Sequence, residues 1–340
     1  MPDRVKVGVV GLGMWGQNHP LVYDDYDHAE LSVVCDLDEQ LAKETAEKYH
    51  CDWTTDVGQL ASSDVTAFSV ATPDYAHFAP VSTLLKAGKH VLVEKPLTTD
   101  LTEAKQLAGL ADASGSVAMV DFHLRWDPQW CMVKEAVERG DLGEPVMGYI
   151  RLSDAITVAE NWLRWAGRSG PHWFLYPHTM DLMRWIIDQE PRRVYATGHR
   201  GVLEAKGVDT WDAMQTVVDF DTCTITFETS WIIPNSNPSV LDCHMSLYGD
   251  KGKVDYDQDY SGISFATDKF SYPWVPVGQR DRYGKLNHFL YAPMRHFVDC
   301  VRAGIPPECT FQDGLAVVAM IHAALASLES GQPVEMDGLL

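Results

Sequence analysis

Basic charge is scarce in these 340 residues: 27 Lys and Arg stand against 48 Asp and Glu, a formal net charge of −21 at pH 7 with His neutral. A nucleic-acid surface needs clustered Lys and Arg to displace counterions, and an anionic membrane surface needs them too. Both are excluded as expected partners. Cysteine chemistry is equally thin. The seven cysteines, at 35, 51, 131, 223, 243, 300 and 309, include no CxxC pair, which gives neither a zinc ribbon nor a disulfide framework, and no metal site is expected. No apolar run reads as long enough to span a bilayer, and no signal-peptide pattern precedes the first strand, so a cytoplasmic protein with no membrane attachment is expected. Internal repeats and low-complexity segments are also missing. What is present is 46% hydrophobic residues with 22% charged, enough to build packed cores. The length corresponds to about two domains.

The first third alternates strand and helix. Apolar, β-branched runs at 5–10, 31–35, 65–70, 90–93 and 117–120 are separated by helical patterns at 41–49, 78–87 and 101–113. Strands apolar on both faces and spaced by helices imply a parallel sheet covered on both sides, a doubly wound α/β domain. The character changes near Phe122. After a helix at 128–139, strand patterns follow at 146–152, 194–197, 214–220, 223–231, 243–248 and 253–256, with turns at Asp221-Thr222 and at 249–252. Helical patterns at 178–187, 292–302 and 313–330 flank them. Consecutive hairpins with helices imply an α+β domain with an antiparallel sheet. The expected division is therefore 1–122 and 123–340. The aromatic, Pro-containing stretch 272–291 fits neither period and reads as a long functional loop. Tyr283 with Arg280 or Arg282 would close over a site there or reach a neighbouring subunit.

Gly11-Leu12-Gly13-Met14-Trp15-Gly16 matches GxGxxG directly after the first strand and at the opening of a helix, the context that gives this pattern meaning. Gly11 makes the tight turn, Gly13 admits a pyrophosphate, and Gly16 lets helix and strand pack closely. Asp36 lies 20 residues beyond Gly16 at the end of the second strand, where a carboxylate binds the adenosine ribose diol and repels a 2′-phosphate. No Arg follows it, so NAD is favoured over NADP. Glu94-Lys95-Pro96 ends the fourth strand, and ligands bind beyond the carboxyl ends of strands in such sheets. A lysine there can meet a substrate hydroxyl.

These residues resemble the Gfo/Idh/MocA oxidoreductases. The glycine turn with Met14 and Trp15, Ala71-Thr72-Pro73 with His77, and Gly88-Lys89-His90 running into Glu94-Lys95-Pro96 carry the likeness. It continues through Phe122-His123-Leu124-Arg125-Trp126-Asp127-Pro128, Gly140-Asp141-Leu142-Gly143-Glu144, Ser169-Gly170, His178-Thr179-Met180-Asp181 and Phe311-Gln312-Asp313-Gly314. The resemblance spans essentially the whole chain. It implies an N-terminal Rossmann domain and a C-terminal α+β domain whose large, mostly antiparallel open sheet forms oligomer contacts, a homodimer or homotetramer. It also implies a cis Lys95–Pro96 peptide, Lys95 assisting proton movement at the substrate hydroxyl, and His178 as general base or acid. Thr72, Pro73, His77, Glu94 and Lys95 join Gly11, Gly13, Met14, Trp15, Gly16 and Asp36 as cofactor-side residues.

The chain departs from the family pattern before His178. An Asp four residues earlier and a Gly two earlier are replaced by Phe174 and Tyr176, so Tyr176 or His172 is a candidate proton carrier or hydroxyl ligand. Asp181 is a candidate for orienting His178. Eleven Trp is a high count; Trp126, Trp162, Trp165 and Trp173 suit the apolar faces of sugars and cyclitols, with Arg125, Asn161, Arg164 and His172 for hydroxyls. Substrate-side candidates are thus Lys95, His123, Arg125, Trp162, Arg164, His172, Tyr176 and His178. The expected activity is NAD-dependent hydride transfer at a secondary alcohol or ketone of a sugar, anhydrosugar or cyclitol. The alternatives are a redox-neutral NAD enzyme that cleaves glycosides through transient oxidation, and a non-catalytic NAD-binding regulator.

Overall fold

The computed structural model describes residues 4–258, 265–266, 270–271, 280–281 and 283–339. Residues 272–279 and Arg282, part of the expected loop at 272–291, lie outside them. The chain divides into two compact units, Met1–Asp127 with Val277–Leu315, and Pro128–Pro276 with Ala316–Leu340. A single boundary near Phe122 therefore describes only the first crossing. A later segment returns to the first unit, and no composition shift in the sequence marks it.

The first unit is built from β1 (Val5–Val10), α1 (Asn18–Asp25), β2 (Ala29–Cys35), α2 (Glu39–Tyr49), β3 (Asp52–Thr54), α3 (Val57–Ala61), β4 (Ala67–Val70), α4 (Phe78–Lys86), β5 (His90–Glu94), α5 (Leu101–Ser114) and β6 (Ala118–Asp121). The strands pair in the order β3-β2-β1-β4-β5-β6, all parallel. This is the dinucleotide-binding order, with its reversal point between β1 and β4. The Val-rich strands are buried because helices cover both faces; Val7, Val9, Val34, Phe68 and Val91 are fully enclosed. Asp38, Asp56 and Asp100 cap α2, α3 and α5 through their carboxylates, satisfying amides that a helix start leaves open. β3 and α3 are too short to register as periodic patterns in sequence.

The second unit contains α6 (Pro128–Glu138), β7 (Pro145–Asp154), α7 (Pro171–Phe174), α8 (Tyr176–Ile187), β8 (Arg193–His199), β9 (Ala213–Asp219), β10 (Thr224–Ser230), β11 (Leu241–Gly249), β12 (Lys253–Asp257) and the two-residue strands β13 (Phe265–Ala266) and β14 (Phe270–Ser271). After α9 (Ala292–Ala303), which belongs to the first unit, come α10 (Phe311–Ser330) and β15 (Val334–Glu335). A seven-stranded sheet runs β12-β11-β7-β10-β9-β8-β15, antiparallel except for the parallel β7–β10 pair. Alternation along β8, β9 and β10 buries Val194, Ala196, Met214, Val218, Ile225 and Phe227 on one face, as expected of a sheet with one covered side. The other face carries the cross-strand row Tyr195, Val217, Thr226, Tyr149 and Ser246.

The helix α10 corrects the expectation about apolar runs. Its 20 residues have a mean hydropathy of 1.5 over an 18-residue window, long and apolar enough to cross a membrane, but 67% of that window is buried in the protein itself. It is a core helix: near its start Gly314 packs against Val120 and Leu97, and near its end Ser327 accepts a hydrogen bond from the Ala196 amide at 3.0 Å.

Arg280 is engaged within the fold. It donates to Asp25 at 2.8 Å and to the Gly284 carbonyl. Asp25, at the end of α1, also accepts from the Leu286 amide at 3.2 Å and from Arg295 at 3.4 Å. The resulting clasp ties α1 to the returning segment. Burial pushes the Asp25 carboxyl up, but Arg280, the Leu286 amide and Lys285 outweigh it and hold it below the usual aspartate range. A carboxyl depressed in the folded state contributes stability that is complete above about pH 4 and is lost as pH falls through the folded value. Asp25→Asn is therefore expected to lower unfolding stability by about 1–3 kcal/mol at neutral pH. In denaturant titrations, the gap to wild type should narrow as the medium is acidified below about pH 4.

Candidate active site

The glycine turn after β1 divides its labour. Gly11 has φ +90°, and a Cβ there would stand 2.7 Å from the Ala71 and Thr72 main chain. At Gly16 a Cβ would meet the Gly11 carbonyl oxygen at 2.2 Å. At Gly13 it would meet nothing within 4 Å. Two glycines thus serve close packing and the third leaves an open approach to the backbone, as a pyrophosphate requires. Helical turning begins within the motif, the Gln17 amide bonding to the Gly13 carbonyl at 3.1 Å. At the end of β2, Asp36 accepts from the Leu12 amide at 2.7 Å and the Asp38 amide at 2.9 Å, which fixes its carboxylate against the glycine turn. Leu37, 92% exposed, follows it, an apolar side chain where an Arg would receive a 2′-phosphate. This residue set fits NAD.

Thr72, Pro73 and His77 form a brace. The His77 ring is 1% exposed; its Nδ1 lies 2.8 Å from the Pro96 carbonyl and its Nε2 2.9 Å from the Thr72 carbonyl. It ties the loops after β4 and β5 together, a supporting place rather than the ligand-facing one expected. Met14 is exposed.

Beneath the turn lies a buried polar group. Trp15 Nε1 donates to Glu94 Oε1 at 2.7 Å, and His19 Nε2, in the first turn of α1, lies 3.1 Å from the same oxygen. Asp121 is the register partner of Glu94 across β5 and β6. His123 follows, its ring 6.0 Å from that of Trp15. Burial pushes Glu94 up, but His19, His123 and Lys95 outweigh it and hold the carboxyl below its ordinary range. Asp121 is raised well above its ordinary range by burial and then by the Glu94 charge. Burial lowers His123 to about 4, so this imidazole is neutral at physiological pH. The Lys95–Pro96 peptide is cis, as the resemblance implies. His19 and Asp121 were missed from sequence, although His19 stands three residues after Gly16 and Asp121 ends a parallel strand, where site residues gather.

Arg125 is a correction. Its 6% exposed side chain donates to the Glu308 carbonyl at 2.9 Å and pairs with Asp313 at 3.3 Å. It fastens the turn after β6 to the start of α10, a structural tie that the sequence did not suggest.

In the second unit His178 is half-buried in the first turn of α8, and Trp162 and Arg164 are exposed on the segment before α7. Tyr176 is a second correction. It is fully buried, donating to the Met214 carbonyl at 3.0 Å and accepting from Thr216 at 3.1 Å. Its phenol is pushed far up by burial and cannot carry protons at neutral pH. Phe174 packs edge-on against Trp231 with ring centroids 5.7 Å apart. Core packing has taken over both departing positions. His172 is buried as well, and burial lowers it to about 3, so it stays neutral.

Comparison with known proteins decides the family. Residues 5–122 match the oxidoreductase family with an NAD-binding Rossmann fold, GFO_IDH_MocA, and residues 130–255 match the GFO/IDH/MocA C-terminal domain. The chain belongs to the Gfo/Idh/MocA family. It is similar to the inositol 2-dehydrogenase of Rubrobacter xylanophilus, 29% identical with 99% of this chain and 94% of that one covered. It is also similar to the myo-inositol 2-dehydrogenase of Thermotoga maritima, 26% identical with 99% and 100% covered. Among solved structures, GenD2 from gentamicin A biosynthesis in complex with NAD superposes with a TM-score of 0.85 at 26% identity, covering 98% of this chain and 96% of that one. This Gfo/Idh/MocA chain is thus an oxidoreductase whose Rossmann unit takes NAD.

The Asp36 carboxylate, fixed against the glycine turn, is expected to set the preference between dinucleotides. Asp36→Ala is expected to weaken NAD binding about tenfold or more, the loss of one or two charge-assisted hydrogen bonds. Asp36→Ser with Leu37→Arg should bring NADP within reach. Calorimetric titration of both dinucleotides checks each outcome.

Proposed function

We propose that the protein is an NAD-dependent dehydrogenase of a cyclitol, sugar or anhydrosugar, moving a hydride between nicotinamide and a ring carbon bearing a secondary hydroxyl or ketone. The observation carrying this reading is Lys95 at the carboxyl end of β5, beside the buried Glu94 carboxylate, in a chain of this family. Bound NAD supplies the hydride acceptor. The protein's own task is to orient the substrate and provide a route for the hydroxyl proton.

In this reading Lys95 donates a hydrogen bond to the reacting oxygen and stabilises its developing negative charge. His178, an imidazole, takes or returns the hydroxyl proton. Trp162 offers a ring face for the C–H side of a polyol, and Arg164 a donor for hydroxyls. His123 and His172, held neutral by burial, add hydrogen-bonding groups without charge. The net charge of −21 favours an uncharged substrate over a sugar phosphate. The open sheet face, with Met147, Tyr195, Val217 and Tyr248 exposed, supports pairing with a second copy of the chain as a homodimer or homotetramer. The seven free cysteines suit a reducing, cytoplasmic setting.

The test is NADH formation across inositols, free sugars, anhydrosugars and uronates. Turnover on at least one neutral polyol or sugar is expected, and cleavage of a glycoside without NADH accumulation would overturn the reading. On the substrate found, Lys95→Ala and His178→Ala should each lower kcat by roughly 10²–10⁴-fold. His178→Ala should still bind NAD.

A further inference from the structure

Asp121 has no role in the motifs or in the reading above, yet it is the strand partner of Glu94, the residue before Lys95. It ends β6 as Glu94 ends β5, and the two are direct register partners on adjacent parallel strands. Both are buried, and with His19 their polar atoms lie within 4.8 Å of one another. Glu94 Oε1 and Asp121 Oδ1 differ in their partners. Glu94 Oε1 accepts from Trp15 and lies against His19, whereas Asp121 Oδ1 receives no hydrogen bond among the described residues, His123 Nδ1 being 3.9 Å away. Two buried carboxyl groups this close do not both ionise. The Trp15 N–H already holds Glu94 Oε1, so the charge belongs on Glu94 and the proton on Asp121. A metal ion suits the group poorly, because the Trp15 N–H can only donate and already holds the Glu94 oxygen, and because the Lys95 ammonium adjoins.

We propose that Asp121 is a positioning residue for Lys95: it carries the proton of a shared carboxyl pair, so that a single negative charge, that of Glu94, acts on the ammonium. The proposal rests on the assignment of Lys95 to the reaction. The groups facing the pair are His19 and Tyr23 from α1, Trp15 from the glycine turn, Lys95 after β5, and His123 after β6 with His288 beside it. Tyr23, hydrogen-bonded to Ser69, is pushed far up by burial, and burial lowers both His123 and His288. These three are uncharged at neutral pH. When alkali removes the Asp121 proton, a second negative charge appears beside Lys95 and strengthens its hold on its own proton.

Asp121→Asn keeps the shape and fixes the neutral state. In infrared difference spectra of the protein without substrate at pH 7, the wild type should show a protonated-carboxyl carbonyl band that the variant lacks. The variant should keep kcat/KM within about threefold of wild type at pH 7, while its alkaline inflection moves to lower pH. Asp121→Ala serves for the same measurements if the Asn variant does not fold. The proposal is overturned if the variant loses no band, if kcat/KM falls more than about tenfold at pH 7 in a folded, NAD-binding variant, or if the alkaline inflection stays in place. Full activity of Lys95→Ala would remove the role of Lys95 in the reaction, and the claim that Asp121 positions it, while the infrared result would still report which carboxyl holds the proton.

Discussion

The Glu94 carboxylate is the constraint on which the cofactor unit depends. A buried charge survives only when it is paired or hydrogen-bonded, and Glu94 draws its partners from three places. Trp15 comes from the glycine turn, His19 from the first turn of α1, and Lys95 from its own chain. Each partner is thereby held where the chemistry needs it. The glycine turn is pinned at Trp15 while Gly13 stays open, and α1 is anchored at its start. The lysine emerges beside a fixed negative charge. Asp36 does the same for the other end of the turn through the Leu12 amide. The cofactor loop is thus braced by two carboxylates, one buried and one half-exposed.

The second unit is organised differently, around a sheet with one buried face. Its core takes Tyr176, and half-buried Phe174 packs on Trp231, at the two positions where the chain departs from the family pattern. A carboxylate and a glycine at these positions would have left polar, flexible backbone beside His178. Phe174 instead packs on Trp231 and Tyr176 on Phe227. The cost of burying the Tyr176 hydroxyl is offset by hydrogen bonds to Met214 and Thr216.

Much of this was legible in the sequence because it depends on local pattern. Val-rich runs with helices between them give a parallel sheet whatever else the chain does, and Gly11, Gly13 and Gly16 with Asp36 at fixed spacing give the phosphate turn. The 249–252 turn formed as expected, the Gly249 amide meeting the Gly252 carbonyl at 2.8 Å. What was not legible depends on contacts distant in sequence. Arg125 reads as a donor beside a substrate segment, but Asp313 lies 188 residues further on, and no local signal links the two. Arg280 meets Asp25 across 255 residues, a tie within the fold that local pattern does not announce. His77 keeps its motif position but faces main-chain carbonyls. The last helix, α10, reads as ordinary amphipathic helix until its burial is known. Burial itself decided Tyr176 and His172, since periodicity shows which face is apolar but not how deeply a polar ring within it lies.

Hydride transfer at a carbinol carbon is the central claim, and label transfer tests it most directly. A polyol or sugar substrate deuterated at the reacting carbon should give deuterated NADH, with a primary isotope effect on kcat/KM. Consumption of the substrate with no deuterium in the recovered cofactor would contradict the account.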